Sequence, residues 1–394
     1  MISIFRESVD YSKYFICAYH LKSTISLYDA AWQIAIGQSV GNPNVRSKWE
    51  TDELLERHAC MVITQDENEL KSKQEGIVNI AFPTANISIE NDGVSQLLCQ
   101  VMGGQMDIDS ILVCRLKKIW YPESIAALFY RPKYGLSGMR NFTGCIDKPL
   151  LGAIIKPKIG ITPDALYDIV SELIDGGVNF IKEDEIMSSP PGNSVDRRIT
   201  RISNLIHDNK VVYSACINAD PQYILYRARN LVNMGANGIH ANVWCGLGVY
   251  KSLRELDLPL FLHFQKSGDR VFTAPEHRFG IDWSVICELA ALMGVDTIHV
   301  GMLGGYKSDD PTHLKEIIKG LTNLNVVPAL SCGMHPGLVD NIRNELGNDW
   351  MASAGGAIHG HPEGTKAGAL AMKQAIDQTH NHEYEVAIEV WGQK

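Results

Sequence analysis

The second part of the chain alternates between short apolar runs and longer amphipathic stretches. From about residue 150 the apolar runs, rich in β-branched residues, recur at intervals of roughly twenty to forty residues. Eight strand candidates alternating with helices are typical of an α/β fold of the (β/α)8 TIM barrel type, and an open doubly wound parallel sheet is the alternative. The predicted strands are LLGAIIKPK (150–158), NFIKEDEI (179–186), VVYSACINA (211–219), NGIHANVW (237–244), LPLFLHF (258–264), VDTIHVG (295–301), NVVPALSCG (325–333) and MASAGGAIHG (351–360).

Two of the stretches between these strands carry clear helix signals. TPDALYDIVSELIDGG (162–177) begins with a threonine cap and a proline at the first helical position, and it ends in two glycines. WSVICELAALMG (283–294) has helical periodicity and ends at Gly294. Both stretches are predicted to be helices that link successive strands.

The first 140 residues lack this alternation. Their mixture of strands and helices predicts a smaller α+β domain of the ferredoxin-like type over residues 1–140. The barrel domain is then expected over residues 145–394, with RPKYGLSGMRNFTGC (131–145) as the connection. The predicted elements of the first domain are the strands YFICAYHL (14–21), GIVNIAFP (76–83) and SILVCRLKKIWYP (110–122) and the helices SLYDAAWQIAIG (26–37) and VSQLLCQVMG (94–103).

Composition narrows the class of protein. Apolar residues make up 45% of the 394 residues and charged residues 21%, as in ordinary globular proteins. The net charge of -9 gives no basic footprint for nucleic acid or an anionic membrane, and no apolar run is long enough to span a bilayer. Nine scattered cysteines and an N-terminus without a basic-then-apolar leader predict a cytoplasmic protein with reduced thiols.

The run NFIKEDEIMSS (179–189) places four consecutive charges, Lys182 to Glu185, between apolar residues. Such charges are costly to bury unless something pairs them. Functional groups of a barrel lie at the C-terminal ends of its strands, and this run ends the second predicted strand. Alternation along a strand points Lys182 and Asp184 to one side, and Glu185 joins them if the chain turns there. Glu183 is expected to face outward as a bystander.

Other strand ends add groups of complementary chemistry. Lys156 and Lys158 share a side at the end of the first barrel strand, and His299 ends the sixth. The last two strands end in SCG (331–333) and AGG (354–356), whose small residues let backbone N–H groups approach an anion. Two carboxylates with a third oxygen ligand suit Mg²⁺, so the set indicates a divalent cation and a phosphorylated substrate.

These stretches resemble the RuBisCO large-subunit superfamily. The resemblance implies an α+β domain followed by a (β/α)8 barrel. It also implies a homodimer whose active sites lie between the barrel of one subunit and the N-terminal domain of the other. The matching segments, in chain order, are GAIIKPKIGIT, GGVNFIKEDEIMSS, GVDTIHVG, PALSCGMH and AGGAIHGHPEGTKAGALA.

The resemblance also implies roles for particular residues. Lys182 would react with CO2 to form a carbamate that holds Mg²⁺ together with Asp184 and Glu185. Lys156 would act as a general acid or base beside an enediolate, and Lys158 would stabilise its oxygen. The residues expected to bind substrate or its phosphate are His263, Lys266, His299, Ser331, Gly333, Gly355 and Gly356.

Several departures from the carboxylase pattern identify the chain as similar to the RuBisCO-like proteins, the form IV type. With the metal cluster retained, they predict enolisation or isomerisation of a phosphorylated ketose or keto-sugar through a metal-stabilised enediolate, without CO2 fixation. Gln265 and Lys266 stand where the carboxylases have a His-Arg pair, and Gly104 or Gln105 stands where they have an asparagine. Tyr306 is in register with their mobile lysine, and Lys307 lies one position further along. The segment AIGQSVGNPN (35–44) replaces a glutamate-rich segment.

Four other functions stay open on the sequence. A decarboxylase of a 3-oxo sugar-acid phosphate would use the same enolate stabilisation. A catalytically silent member would only bind a sugar phosphate. A Schiff-base lyase would use a barrel lysine, although the adjacent Asp184 and Glu185 disfavour it. Ordinary carboxylation of ribulose 1,5-bisphosphate is the fourth.

Overall fold

The computed structural model describes residues 3–43, 45–306 and 309–393. Elements are numbered in chain order. The strands are β1 (Phe5–Arg6), β2 (Tyr14–Ser23), β3 (Met61–Ile63), β4 (Glu75–Pro83), β5 (Ile111–Trp120), β6 (Leu150–Ile154), β7 (Phe180–Lys182), β8 (Val212–Cys216), β9 (Gly238–Asn242), β10 (Phe261–Gln265), β11 (Phe279–Ile281), β12 (Thr297–Gly301), β13 (Val327–Leu330) and β14 (Met351–Ala354).

The helices of the described residues run from single turns to about four turns. Those that precede the barrel strands are α1 (Leu27–Gly37), α2 (Asp52–His58), α3 (Glu67–Ser72), α4 (Ile89–Val101), α5 (Glu123–Ala126) and α6 (Gly135–Thr143). Those that follow β6 are α7 (Pro163–Asp175), α8 (Val195–Asp208), α9 (Pro221–Asn233), α10 (Val249–Glu255), α11 (Arg270–Thr273), α12 (Trp283–Leu292), α13 (Pro311–Asn323), α14 (Val339–Leu346), α15 (Gly356–His359), α16 (Thr365–Asp377) and α17 (His382–Trp391). None of these helices is long and apolar enough to cross a membrane.

The chain divides into two compact units. The first contains the residues up to Tyr130 together with Gly268–Leu289, and the second contains Arg131–Ser267 together with the residues from Ala290 onward. The segment Gly268–Leu289 therefore belongs to the first unit, although the sequence places it between two predicted barrel strands. A local hydrophobic pattern does not show which unit such an inserted segment joins.

The first unit is built on a six-stranded sheet in the order β1-β3-β4-β2-β5-β11. Its long central strands, β4, β2 and β5, are antiparallel, and β11 pairs in parallel with β5. The strands and helices expected from the sequence are all present here, with bounds that differ by a few residues. The mixed α+β character of this unit is confirmed.

The second unit is a closed barrel of eight parallel strands, β6 to β10 and β12 to β14, in which β14 pairs with β6. The barrel prediction is confirmed, and closure excludes the open sheet. The strands are shorter than the apolar runs because each run includes the loop that follows. The helix expected between β6 and β7 is α7, where the side chain of Thr162 accepts a hydrogen bond from the Ala165 amide.

The N-terminal end of the barrel is closed by α6. Leu136 and Met139 of this helix pack against Leu150, Phe180 and other residues at or near the start of the barrel strands. The segment 131–145 was expected to be the connection between the domains, and it also forms a helix that the sequence analysis did not identify. The glycines and charged residues of this segment make its one apolar face hard to recognise in the sequence. Burial of that face holds the helix against the strand ends.

Candidate active site

Lysines after β6 and acids after β7 meet at the C-terminal end of the barrel. The Nζ atom of Lys156 lies 2.6 Å from Oδ2 of Asp184, and that of Lys158 lies 3.9 Å from the same oxygen. The pairing of β6 with β7 places Ile154 opposite Lys182, so the residues that follow these two strands emerge side by side. Asp184 is almost fully buried, and two cationic amines partly balance its charge.

Lys182 and Glu185 form the deeper half of this cluster. The Lys182 side chain is 1% exposed, its Nζ donates to the Glu183 carbonyl at 2.8 Å, and it lies 3.5 Å from Oε2 of Glu185. Burial lowers the pKa of Lys182 despite the neighbouring carboxylates. Burial raises the pKa of Glu185, but Lys182 and hydrogen bonds from the Glu185 amide and Ser267 outweigh this effect and lower it to about 2.

Glu183 faces away from Lys182, as expected, but it is not a bystander. Its side chain is 0% exposed and forms an ion pair with Arg198 of α8, which donates to its two oxygens at 2.7 and 2.9 Å. The Tyr213 hydroxyl and the Cys216 amide donate to the same carboxylate, each at 2.8 Å. The charge of Glu183 is therefore buried and paired on the opposite side of the strand from Lys182.

The barrel interior beside the cluster contains histidines. His263 of β10 lies between His240 of β9 and His299 of β12, with ring centroids 6.0 and 4.5 Å apart. Burial lowers the pKa of each ring, that of His299 to about 3, so all three are neutral near pH 7. Neither ring nitrogen of His263 has a hydrogen-bond partner among the described residues. Sequence reasoning missed His240, although β9 places it in register with His263.

A cavity of about 410 Å³ opens beside the cluster. Three glycines expected to bind phosphate, Gly333, Gly355 and Gly356, line it together with Lys156. Ser353 also lines it, and sequence reasoning did not select that residue. The Ser353 hydroxyl is buried and has no partner among the described residues. The cavity is therefore lined by the Lys156 amine, by glycine backbone that a ligand can approach closely, and by a hydroxyl that has no hydrogen-bond partner among the described residues.

The other expected substrate residues lie outside this cavity. Ser331 follows β13 and is buried, with its amide donating to the Gly301 carbonyl at 3.1 Å. His263 and His299 lie in the barrel interior. The positive charge of Lys266 contributes to the lowered pKa of His299. Lys307 lies outside the described residues, and Tyr306 beside it is 85% exposed.

The donor set at the end of β7 fits a hard divalent cation. Asp184 and Glu185 supply two carboxylates, and a carbamate on Lys182 would supply a third anionic oxygen ligand. The described residues contain no group of three His, Cys, Asp or Glu side chains suited to a metal. Taking Lys156 and Lys158 as charged, the five-residue cluster carries one net positive charge with an unmodified Lys182. The cluster carries the same net charge with a carbamate on Lys182 and a bound Mg²⁺. Carbamate formation together with Mg²⁺ binding would therefore leave the net charge of the cluster unchanged.

Comparisons with known proteins agree with this arrangement. The family model for the N-terminal domain of the ribulose bisphosphate carboxylase large chain matches residues 8–125, and the model for its catalytic domain matches residues 135–389. The ribulose bisphosphate carboxylase of Pyrococcus furiosus is 30% identical over 369 residues, which cover 90% of this chain and 85% of that protein.

Two further relatives are a carboxylase-like protein and a carboxylase of known structure. A ribulose bisphosphate carboxylase-like protein of Archaeoglobus fulgidus is 28% identical over 402 residues, covering 94% of this chain and 89% of its own. The crystal structure of an octameric ribulose-1,5-bisphosphate carboxylase/oxygenase from Pyrococcus horikoshii, in complex with sulfate ion, superposes with a TM-score of 0.89 at 25% identity and covers 99% of this chain and 96% of that one. From the two matched domains and the shared fold, the chain belongs to the ribulose bisphosphate carboxylase large-chain family.

Proposed function

We propose that the protein is a Mg²⁺-dependent enzyme that enolises or isomerises a phosphorylated ketose or keto-sugar through an enediolate. The position of Lys156 carries this proposal. Its amine lies 2.6 Å from Asp184, and its side chain lines the cavity beside Gly355 and Gly356. A ligand with its phosphate at these glycines would place its neighbouring carbons beside Lys156 and the acidic cluster.

Lys182, Asp184 and Glu185 would hold the metal, with Lys182 as its carbamate. Bound there, Mg²⁺ would polarise a substrate carbonyl and make the adjacent C–H more acidic. CO2 reacts with a neutral amine, and burial lowers the pKa of Lys182, which favours that form.

The remaining roles follow from what each group can do. Lys156 is proposed to move the proton at the carbon beside the carbonyl, because its amine is partly exposed and lines the cavity. Lys158, farther from Asp184 and more exposed, is proposed to stabilise the developing negative oxygen. Backbone N–H groups of the glycine loops are proposed to bind the phosphate. The sulfate ion in the Pyrococcus horikoshii structure shows that a relative binds a similar anion.

The departures from the carboxylase pattern at other positions support a reaction without CO2 fixation. Gln265 ends β10, where the carboxylase pattern has histidine, and its buried Oε1 has no partner among the described residues. Gln105 is buried, and its Nε2 donates to the Val101 carbonyl, whereas its Oε1 has no partner among the described residues. Tyr306 replaces the mobile lysine expected in the loop after β12.

Incubation in D2O with Mg²⁺, CO2 and a panel of ketose phosphates tests the proposal. Metal-dependent C–H exchange or isomerisation is expected for at least one member, observed by proton NMR. CO2 release from a 3-oxo sugar-acid phosphate would favour the decarboxylase instead, and ribulose 1,5-bisphosphate with labelled bicarbonate should give no fixed label. Phosphate binding without any turnover would identify a catalytically silent sugar-phosphate-binding protein. This function is the second candidate because the residues at the end of β10 differ from the carboxylase pattern.

Gly356→Ala should separate phosphate binding from folding. A Cβ at this position meets no atom within 4 Å, and the glycine lines the cavity. The added methyl group is expected to weaken inorganic phosphate binding by about tenfold or more, roughly 1.4 kcal/mol. The melting temperature should change by no more than about 2 °C, because the substitution is not strained. Calorimetric titration and thermal unfolding measure the two effects.

Gly333→Ala is the matched contrast. Gly333 has a φ of 99°, and a Cβ there would lie 2.6 Å from the Tyr306 amide nitrogen. This variant should therefore lose folding stability, unlike Gly356→Ala. Unchanged phosphate affinity in Gly356→Ala would show that the anion binds elsewhere.

We also propose that the protein forms a homodimer with shared active sites, as the family resemblance implies. The Pyrococcus horikoshii relative is octameric, so assembly of identical chains occurs in the family. Sedimentation of the purified protein tests this point, and a monomer at micromolar concentration would contradict it.

A further inference from the structure

The guanidinium of Arg198 contacts both flanks of the turn that carries Asp184 and Glu185. Its Nε and Nη2 donate to the two carboxylate oxygens of Glu183, which precedes the turn, at 2.7 and 2.9 Å. Its Nη1 donates to the Ser188 carbonyl, beyond the turn, at 3.0 Å. One rigid, planar group therefore connects the two ends of the segment that supplies both carboxylates of the cluster.

Helix α8 holds this guanidinium in place. The side chain of Arg198 is 0% exposed, and its Nη1 also donates to the carbonyl of Asn193, just before the helix, at 2.5 Å. The helix buries an apolar face that contains Ile199, Ile202 and Ile206, and it packs against β8. Because its own helix is packed on the barrel, Arg198 can hold the turn in one position relative to the strands.

Two further hydrogen bonds shape the turn from within. The Met187 amide donates to the Asp184 carbonyl at 3.0 Å, and Nδ2 of Asn218 donates to the Glu185 carbonyl at 2.8 Å. These bonds fix the local path of the backbone, whereas Arg198 ties its two ends to α8. The Met187 amide is therefore a reporter inside the segment that the guanidinium spans.

Folding stability does not account for burying the pair of Glu183 and Arg198. Removing two charges from water costs about as much as their attraction returns, so uncharged residues of similar volume are often no less stable. A hard cation makes a different demand, because Mg²⁺ requires its oxygen ligands in near-ideal octahedral positions. A bidentate guanidinium supplies geometric precision of this kind.

We propose that Arg198 is a positioning residue that fixes Asp184 and Glu185 for metal binding. It acts through Glu183 on one side of the turn and through the Ser188 carbonyl on the other. The inference rests on the proposed function, which assigns the two carboxylates to Mg²⁺. Replacing residues that orient metal ligands typically lowers metal affinity by roughly 10- to 100-fold.

Amide hydrogen exchange of the metal-free protein tests the positioning without turnover. The variant Glu183→Gln with Arg198→Met removes both charges of the pair and leaves no unpaired buried charge. The exchange rate of the Met187 amide, divided by that of the β14 amides, is expected to rise at least tenfold over the parent's ratio. A purely structural role would accelerate both sets of amides together. A ratio within twofold of the parent's would therefore overturn the proposal.

An ion pair at the opposite end of the barrel gives the matched control. Arg254 and Asp296 are buried and lie 2.8 Å apart, and Asp296 directly precedes β12. The variant Arg254→Met with Asp296→Asn removes a comparable pair away from the turn. Its Met187 exchange ratio should stay within twofold of the parent's. A tenfold rise in this variant as well would overturn the assignment to Arg198.

Arg198→Lys provides a second variant, because its ammonium keeps a positive charge beside Glu183 but lacks the planar fork. It should raise the Met187 exchange ratio at least threefold, and an unchanged ratio would count against the proposal. Titration with Mg²⁺ separates the inference from the proposed function. Affinity at least tenfold weaker in the double variant would support both. A raised ratio in a protein without metal-dependent substrate C–H exchange would support the positioning and reject the proposed function.

Discussion

Replacing Lys182 by methionine is expected to abolish metal-dependent turnover while leaving the protein folded. The variant cannot form the carbamate, so Mg²⁺ should bind roughly 10- to 100-fold more weakly or not at all. Turnover should fall by roughly 100- to 1000-fold or more, as expected when a preorganised charge at the reacting centre is lost. Calorimetric Mg²⁺ titration and the exchange assay measure the two losses, and NMR with labelled CO2 should show no carbamate signal.

The burial of Lys182 explains why folding should survive. Water is excluded from its amine, and burial lowers its pKa, so an apolar side chain of similar length suits the position. The free energy of unfolding should remain within about 1.5 kcal/mol of the parent's. Lys148→Met is a suitable control, because its amine lies 2.8 Å from Asp377 and outside the cluster. Full activity in Lys182→Met would remove the carbamate from the proposed function.

Glu183→Gln is expected to have the opposite effect and to destabilise the fold by about 3–5 kcal/mol. Arg198 is 0% exposed, so the substitution leaves a buried guanidinium facing an uncharged amide. The Cys216 amide and the Tyr213 hydroxyl also lose the acceptor charge that they share. Urea unfolding followed by circular dichroism measures the loss.

The neighbouring acid gives the matched control for this prediction. Glu185→Gln should weaken Mg²⁺ binding and cost little stability, because Glu185 faces the cluster and is 21% exposed. The double variant Glu183→Gln with Arg198→Met should recover most of the lost stability, since no unpaired buried charge remains. A loss below about 1 kcal/mol in Glu183→Gln would show that Arg198 finds another partner.

The main fold and the position of the site could be predicted because they depend on local patterns. The spacing of apolar runs predicts the barrel strands, and the rule that barrels act at their C-terminal ends then selects Lys156 and Asp184. These residues lie 28 positions apart along the chain, yet their side chains meet at the ends of adjacent strands.

Other features depend on long-range contacts that no local pattern contains. Alternation along the strand predicts that Glu183 faces away from Lys182, but it does not show what covers that side. Its partner Arg198 lies on α8 among residues that read as an ordinary amphipathic helix. Ser353 is likewise chemically unremarkable in the sequence, and only the closed barrel places its hydroxyl at the cavity.

The pairing of β11 with β5 has a consequence during synthesis of the chain. β5 ends at Trp120, whereas its outer partner lies at Phe279–Ile281. A ribosome must therefore translate most of the barrel before the first sheet has its last strand. Until then the edge of β5 presents unpaired backbone N–H and C=O groups. Such an exposed strand edge can pair with another incompletely folded chain and lead to aggregation. The first unit begins the chain, yet its sheet is completed only after five strands of the barrel have been made.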